Sequence, residues 1–273
     1  MSRIRDEEFR RRYGPWALVA GGSHGIGAAL AAELAARGLN LLLVARGAAA
    51  LAARAENLRA AFGIEVRAAT ADLANPAAAD EVQKAAAGLE IGLLVLNAAA
   101  AYSGQFLQSG EADSLGIVDT NCRTPLALVH RFVPPMVERR RGGLLIMSSM
   151  AGFQGAPLVT VYGSSKAFLI SLGEGLAEEL GPHGVDVLVC VAGATRTPSY
   201  LAGKLVDRGR TAIETEPEEV ARAAVRALGR RTLVIAGAVN RAVRLVLGRL
   251  LSRRAAVRLM HRGTRSLYRG GER

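Results

Sequence analysis

Cysteine is nearly absent from this chain: 273 residues contain two, Cys122 and Cys190, at no metal-ligand or disulfide spacing. That excludes a disulfide scaffold and a thiolate zinc site, and leaves both as small buried apolar residues of a reducing compartment. Aromatic residues make up only 4%, so no interleaved stacking surface for single-stranded nucleic acid is available. Nucleic acid therefore ranks last among partners, despite a formal net charge of +11. No apolar run approaches the roughly 18 residues of a spanning helix. Residues 1–13 are heavily charged and lack the apolar centre of a signal peptide. They are expected to form a short charged helix ahead of the main domain of a cytoplasmic protein.

Acid is missing too, but only locally. Of 35 basic and 24 acidic side chains, residues 226–273 hold thirteen arginines and one acid, Glu272, leaving residues 1–225 with 22 and 23. The body is neutral and the C-terminal stretch carries the whole excess. There Val239, Val243, Val246, Leu247 and Leu250 recur at helical spacing, with Arg241 and Arg244 on the opposite face. Residues 238–273 read as a basic amphipathic extension with three open uses. It could lie on an anionic membrane surface, pack its apolar side over a pocket in the body, or join subunits.

What the chain does have is a regular order. Short aliphatic segments at 16–20, 40–45, 64–69, 92–97, 142–149, 184–191 and 232–236 alternate with alanine-rich helical stretches. Such alternation predicts an α/β domain, a doubly wound parallel sheet of about seven strands with helices on both faces. Pro217-Glu218-Glu219 reads as a helix start, with proline in the first turn and acids complementing the dipole.

The first strand, Trp16 to Ala20, runs into Gly21-Gly22-Ser23-His24-Gly25-Ile26-Gly27 and then a helix. Glycines at that place permit a tight turn, backbone approach to a phosphate, and close packing of helix on sheet. The free N–H groups of the helix start then face the anion. Gly21, Ser23, His24, Gly25, Ile26 and Gly27 are accordingly expected to cradle a dinucleotide pyrophosphate, as in a Rossmann-type fold. The next strand tells which dinucleotide. NAD-binding chains place a carboxylate at its end, on the ribose 2′-hydroxyl; here Ala45 is followed by Arg46. A guanidinium can grip a 2′-phosphate that a carboxylate would repel. The expected cofactor is NADP(H), the alternative being an arginine that merely ends its strand in solvent.

Tyr162 and Lys166 are four residues apart in a helical stretch, so they share one face. A phenol with a pKa of about 10 is a poor proton donor at neutral pH until a fixed cation favours its phenolate. Ser149, at the end of the strand before it, is placed to hold the same substrate oxygen by a hydrogen bond.

These elements together resemble the short-chain dehydrogenase/reductase family over roughly residues 14–236, with a catalytic Rossmann domain at 14–237. The glycine turn is similar to T-G-x-x-x-G-x-G, with Ala20 for threonine. Ala71-Asp72-Leu73 resembles the D-[VL] element that contacts adenine. Leu96-Asn97-Ala98-Ala99 resembles N-N-A-G, with Leu96 and Ala99 as departures. Ala192-Gly193-Ala194-Thr195-Arg196-Thr197 resembles P-G-x-x-x-T, with Ala192 for proline. The resemblance adds Asn121 to Ser149, Tyr162 and Lys166 as the catalytic set, holding a water in a relay from Lys166. It adds Asp72, Leu73, Asn97, Ala98, Gly193, Thr195 and Thr197 to the cofactor contacts, with Tyr162 and Lys166 shared. None of the departures removes a proton-transfer group.

The reaction these residues imply is hydride transfer between NADP(H) and a ketone, aldehyde or matching alcohol, with Tyr162 delivering the proton. Apolar residues at Phe153, Leu158, Val159, Pro198, Tyr200, Leu201, Leu205 and Val206 suggest a hydrophobic substrate. Two other classes stay open: an NADP-binding scaffold or sensor, and non-redox chemistry on the same fold. A homodimer or homotetramer is expected, because the family often pairs through the helices that bear Asn121 and Tyr162.

Overall fold

The computed structural model describes residues 2–203, 214–246 and 251–267. Leu205, Val206, Leu247, Arg249 and Leu250 lie outside the described residues. Seven parallel strands form one sheet: β1 (Trp16–Ala20), β2 (Asn40–Ala45), β3 (Val66–Thr70), β4 (Ile91–Leu96), β5 (Gly142–Ser149), β6 (Val185–Ala192) and β7 (Leu233–Ile235). Their order is β3-β2-β1-β4-β5-β6-β7, so the chain reverses its winding between β1 and β4. Ligands of open α/β sheets bind at the carboxyl ends of strands beside such a switch.

Burial explains the composition of the strands. β1 and β4 are buried at every position, so they read as continuous aliphatic runs. β3, at one edge, exposes Arg67, Ala68 and Thr70. Successive side chains alternate between two cores: Ala17 and Val19 face one, Trp16, Leu18 and Ala20 the other.

The helices divide accordingly. α1 (Ser2–Tyr13) is the charged N-terminal helix. It docks by Phe9 and Tyr13, and the Tyr13 hydroxyl donates to Asp186 Oδ2 at 2.6 Å. Arg12 adds an ion pair to the same carboxylate. α2 (Gly25–Ala35) and α3 (Ala48–Phe62) cover the first face through Leu30, Leu34, Leu51 and Leu58. α4 (Ala78–Ala85) covers the opposite face through Val82, whereas α5 (Glu111–Val118) contributes one buried residue, Ile117. A π-turn at Asp119–Arg123 joins α5 to α6 (Thr124–Glu138). α7 (Thr160–Leu180) is the longest helix, and a short α8 (Pro198–Gly203) follows β6. α9 (Pro217–Ala227) packs Val220, Ala224 and Val225 beside α2, with Pro217 and two acids in its first turn.

The C-terminal stretch forms α10 (Ala238–Leu245) and α11 (Arg253–Leu267). Its packing differs from one of the sequence expectations. On α10 the apolar Val239, Val243 and Val246 are exposed, while Asn240 and Arg244 are the half-buried residues toward the body. Apolar packing of α10 over a pocket is therefore not what the fold uses. The physical reason is local: the loops beneath α10 offer a carbonyl and an aromatic face, which suit an amide and a guanidinium.

Candidate active site

The glycine turn closes on the sheet through backbone. Gly21, at φ +87°, donates its N–H to Val44 O at 2.8 Å, and Asn97 Nδ2 donates to Gly21 O at 2.9 Å. Ala98 N–H donates to Ala20 O at 2.7 Å. Asn97 and Ala98 thus brace the turn from the neighbouring strand, a role that needs no ligand. His24 stands at the helix N-cap in an extended conformation, and no side chain caps the first turn of α2. Its Nδ1 pairs with Ser23 Oγ at 2.9 Å instead. Ile26 packs against the core. The first-turn N–H groups are left for an anion.

Arg46 follows β2 and is exposed, with no ion-pair partner among the described residues. Asp72 is exposed, and its Oδ1 accepts from Ala74 N–H at 3.1 Å. Leu73 is buried, and its carbonyl accepts from Thr124 Oγ1 at 2.8 Å. It belongs to the core more than to any ligand surface.

The catalytic candidates meet where β5 ends against α7. Lys166 is buried, and Nζ donates to Met147 O at 3.0 Å while lying 5.7 Å from the Tyr162 ring centroid. Ser148 Oγ donates to Lys166 O at 2.8 Å. These two bonds tie the Tyr162–Lys166 turn of α7 to the end of β5, the strand that carries Ser149. Burial pulls the Lys166 ammonium down from the ordinary lysine range to about 8. Ser149 Oγ accepts from Ala151 N–H at 3.2 Å, which occupies a lone pair and leaves its O–H to donate elsewhere. Leu158, four residues before Tyr162, sits at φ +68°, a conformation costly for a branched side chain. Its carbonyl accepts from Gly104 N–H at 2.8 Å, so the loop after β4 is tied to the Tyr162 approach.

Asn121 is fully buried inside the π-turn. Its Oδ1 accepts from Ala100 N–H at 2.8 Å, and Nδ2 donates to Ala100 O and Ser165 Oγ, both at 2.9 Å. Ser165 Oγ in turn donates to Tyr162 O at 2.8 Å. The amide is a clasp between the loop after β4 and the Tyr162 turn, with both polar atoms engaged. A relay water would meet its remaining lone pair or its main-chain carbonyl. Ser165 escaped the sequence reading, because a serine inside Tyr-x-x-x-Lys has no local mark of a long-range partner. Cys122 lies beside this clasp, its thiol pushed up by burial.

The loop after β6 returns over the glycine turn. Thr195 Oγ1 donates to Gly193 O at 3.1 Å, and Thr197 Oγ1 accepts from Tyr200 N–H at 3.2 Å. A Cβ on Gly25 would stand 2.8 Å from the Thr197 methyl. Strand ends, glycine turn, Ser149, Tyr162 and Lys166 therefore share one edge of the sheet.

A family model described as short chain dehydrogenase matches residues 15–202. The chain belongs to this family, and it is an oxidoreductase that interconverts alcohol and carbonyl groups. It is 33% identical over 233 residues to the 7beta-hydroxysteroid dehydrogenase of Clostridium sardiniense, covering 85% of this chain and 89% of the relative. A solved structure concerned with 7beta-hydroxysteroid dehydrogenase stereoselectivity superposes with a TM-score of 0.87 at 30% identity, covering 92% of this chain and 98% of the other. A short-chain dehydrogenase from Sphingobium yanoikuyae in complex with NADPH superposes with a TM-score of 0.74 at 33% identity, covering 82% and 87%.

Proposed function

We propose that this chain is an NADP(H)-dependent ketoreductase acting on a hydrophobic carbonyl compound. The observation that carries the reading is the buried Lys166 within reach of Tyr162 at the end of β5. A scaffold would have no use for a buried cation on a proton donor.

The cofactor is NADP(H), and the residues fit it. Uncapped N–H groups at the start of α2 suit the pyrophosphate, and the exposed Arg46, without an ion pair among the described residues, suits the 2′-phosphate. Asp72 and the Gly193–Thr197 loop complete the binding set. The bound cofactor supplies the hydride. Ser149 holds the substrate oxygen by its O–H, and Tyr162 gives that oxygen its proton. Lys166 holds positive charge beside the phenol as the proton leaves, and orients the ribose. Asn121 and Ser165 fix the turn that carries Tyr162. The steroid dehydrogenase relative supports a bulky apolar substrate, as do the half-buried Phe153 and Leu158 and the buried Val159.

The test is NADPH oxidation with a panel of hydrophobic ketones, repeated with NADH and with Arg46→Ala. Loss of a charge-assisted fork should raise the KM for NADPH roughly ten- to hundredfold and leave NADH almost untouched. An equal effect on both cofactors would take the 2′-phosphate away from Arg46.

Two surfaces extend the reading. Exposed Leu115, Leu126 and Phe168, with a shallow groove at Phe168, Leu172 and Leu176, suit pairing with a second copy through α5, α6 and α7. Val239, Val243, Leu245 and Val246 are exposed in a stretch whose many arginines face a single acid, Glu272, which suits an anionic bilayer touched by a cytoplasmic enzyme. No described helix is long and apolar enough to cross a membrane. Flotation with anionic vesicles checks the second surface: Val243→Asp should abolish binding that wild type shows at low salt. Light scattering reads the mass for the first, and a monomer would count against pairing.

A further inference from the structure

Asn240 and Arg244 lie one helical turn apart and are the half-buried side chains of α10. Asn240 Nδ2 donates to Ala236 O at 2.7 Å, and its amide fills the space over Gly193. A Cβ on Gly193 would stand 2.6 Å from Nδ2 and 2.7 Å from Cγ, so the pair is in direct contact. Arg244 stacks on Phe153, its guanidinium carbon 4.1 Å from the ring centroid. Gly193 opens the loop after β6, and Phe153 closes the turn that begins at Ser149. α10 therefore bridges the two loops that flank the reacting groups. α11 continues the cover: Ala256 is buried, and Val257 would meet a Cβ on Gly155 at 3.4 Å.

The wall this makes is charged. Among the described residues, no acid pairs with Arg244, and no ion pair involves Arg241, Arg253, Arg254, Arg258 or Arg262. An arginine on an aromatic ring has one face desolvated and its fork of N–H donors held in a fixed plane. Such a group binds a carboxylate or phosphate bidentately at little further entropic cost. A purely structural stacking role would be served as well by a neutral side chain, and the single acid of the extension, Glu272, stands against many arginines.

We infer that Arg244 is an anion subsite of the substrate site, positioned by the Asn240–Gly193 contact. It takes an acidic group carried by the substrate at the end remote from the carbonyl. The substrate class narrows to a hydrophobic ketone with a distal carboxylate, sulfate or phosphate. This rests on the ketoreductase reading.

The test uses the NADP+-loaded full-length enzyme, which cannot reduce a ketone, so binding is separated from turnover. A mid-chain oxo fatty acid and its methyl ester are titrated by calorimetry. Wild type should bind the acid at least about tenfold more tightly than the ester. Arg244→Gln should erase that difference while leaving the ester and NADP+ affinities unchanged, and Arg244→Lys should restore part of it. An acid-to-ester ratio that is the same in wild type and Arg244→Gln overturns the subsite. So does a wild type that prefers the ester. Failure to bind either probe sinks the hydrophobic-ketone reading together with the subsite. Turnover of neutral ketones without acid preference sinks the subsite alone.

Discussion

Tyr162→Phe should lower kcat and kcat/KM together by about a thousandfold, with NADPH affinity unchanged within roughly twofold. The substitution removes one oxygen and keeps the ring, so the packing of α7 should survive. What disappears is the group that gives the substrate oxygen its proton. Lys166 is poorly placed to substitute for it: Nζ is buried and held on Met147 O, 5.7 Å from the centre of the ring whose oxygen is lost. Ser149 cannot replace it either: its O–H can hold the oxygen by a hydrogen bond, but a neutral alkyl hydroxyl is a far weaker acid than a phenol. An equal fall in both kinetic constants is the sign of an interaction made only in the transition state. A fall in affinity alone, with kcat intact, would place Tyr162 in substrate binding and leave the proton without a donor. Lys166→Ala offers no clean comparison, because it removes a donor to Met147 O and a buried side chain beside Tyr162.

The sheet was legible in the sequence because its central strands are continuous aliphatic runs: Leu41 to Val44 and Leu93 to Leu96 are apolar on both faces, as a doubly covered parallel sheet requires. The predicted strand 64–69 proved to be Val66–Thr70, at an edge where Arg67 and Thr70 blur the apolar signal. The spacing of Tyr162 and Lys166 was legible because helical geometry is local. The Asn121–Ala100 and Asn121–Ser165 bonds were not, since they join residues 21 and 44 positions apart. Nothing in a local pattern marks which amide will clasp which loop. The orientation of α10 was hidden for a related reason. Its amphipathic pattern shows two faces, but which one turns inward depends on what lies beneath. Here that is the Gly193 loop and the Phe153 ring.

Gly27→Ala should weaken NADPH binding at least about a hundredfold and lower the thermal midpoint by roughly 5 °C, an overpacking cost of about 2 kcal/mol. A Cβ at position 27 would land on the Gly21 carbonyl oxygen and on Asn97 Nδ2, with the Gly21 carbonyl carbon at 2.9 Å. The obstacles are backbone and a braced amide, so neither can swing away. The helix start would have to withdraw from the turn, carrying with it the N–H groups that face the pyrophosphate. That couples a modest stability loss to a large affinity loss, because alignment of several donors on one anion is lost at once. Gly116→Ala supplies the contrast. It lies within α5 with no heavy atom within 4 Å of its added Cβ, so helix propensity should leave stability unchanged or raised by up to about 1 kcal/mol. Differential scanning with and without NADPH reads both quantities on both variants. If Gly27→Ala kept the full thermal shift on adding NADPH, the glycine turn would be a packing device and the cofactor's phosphates would be held elsewhere.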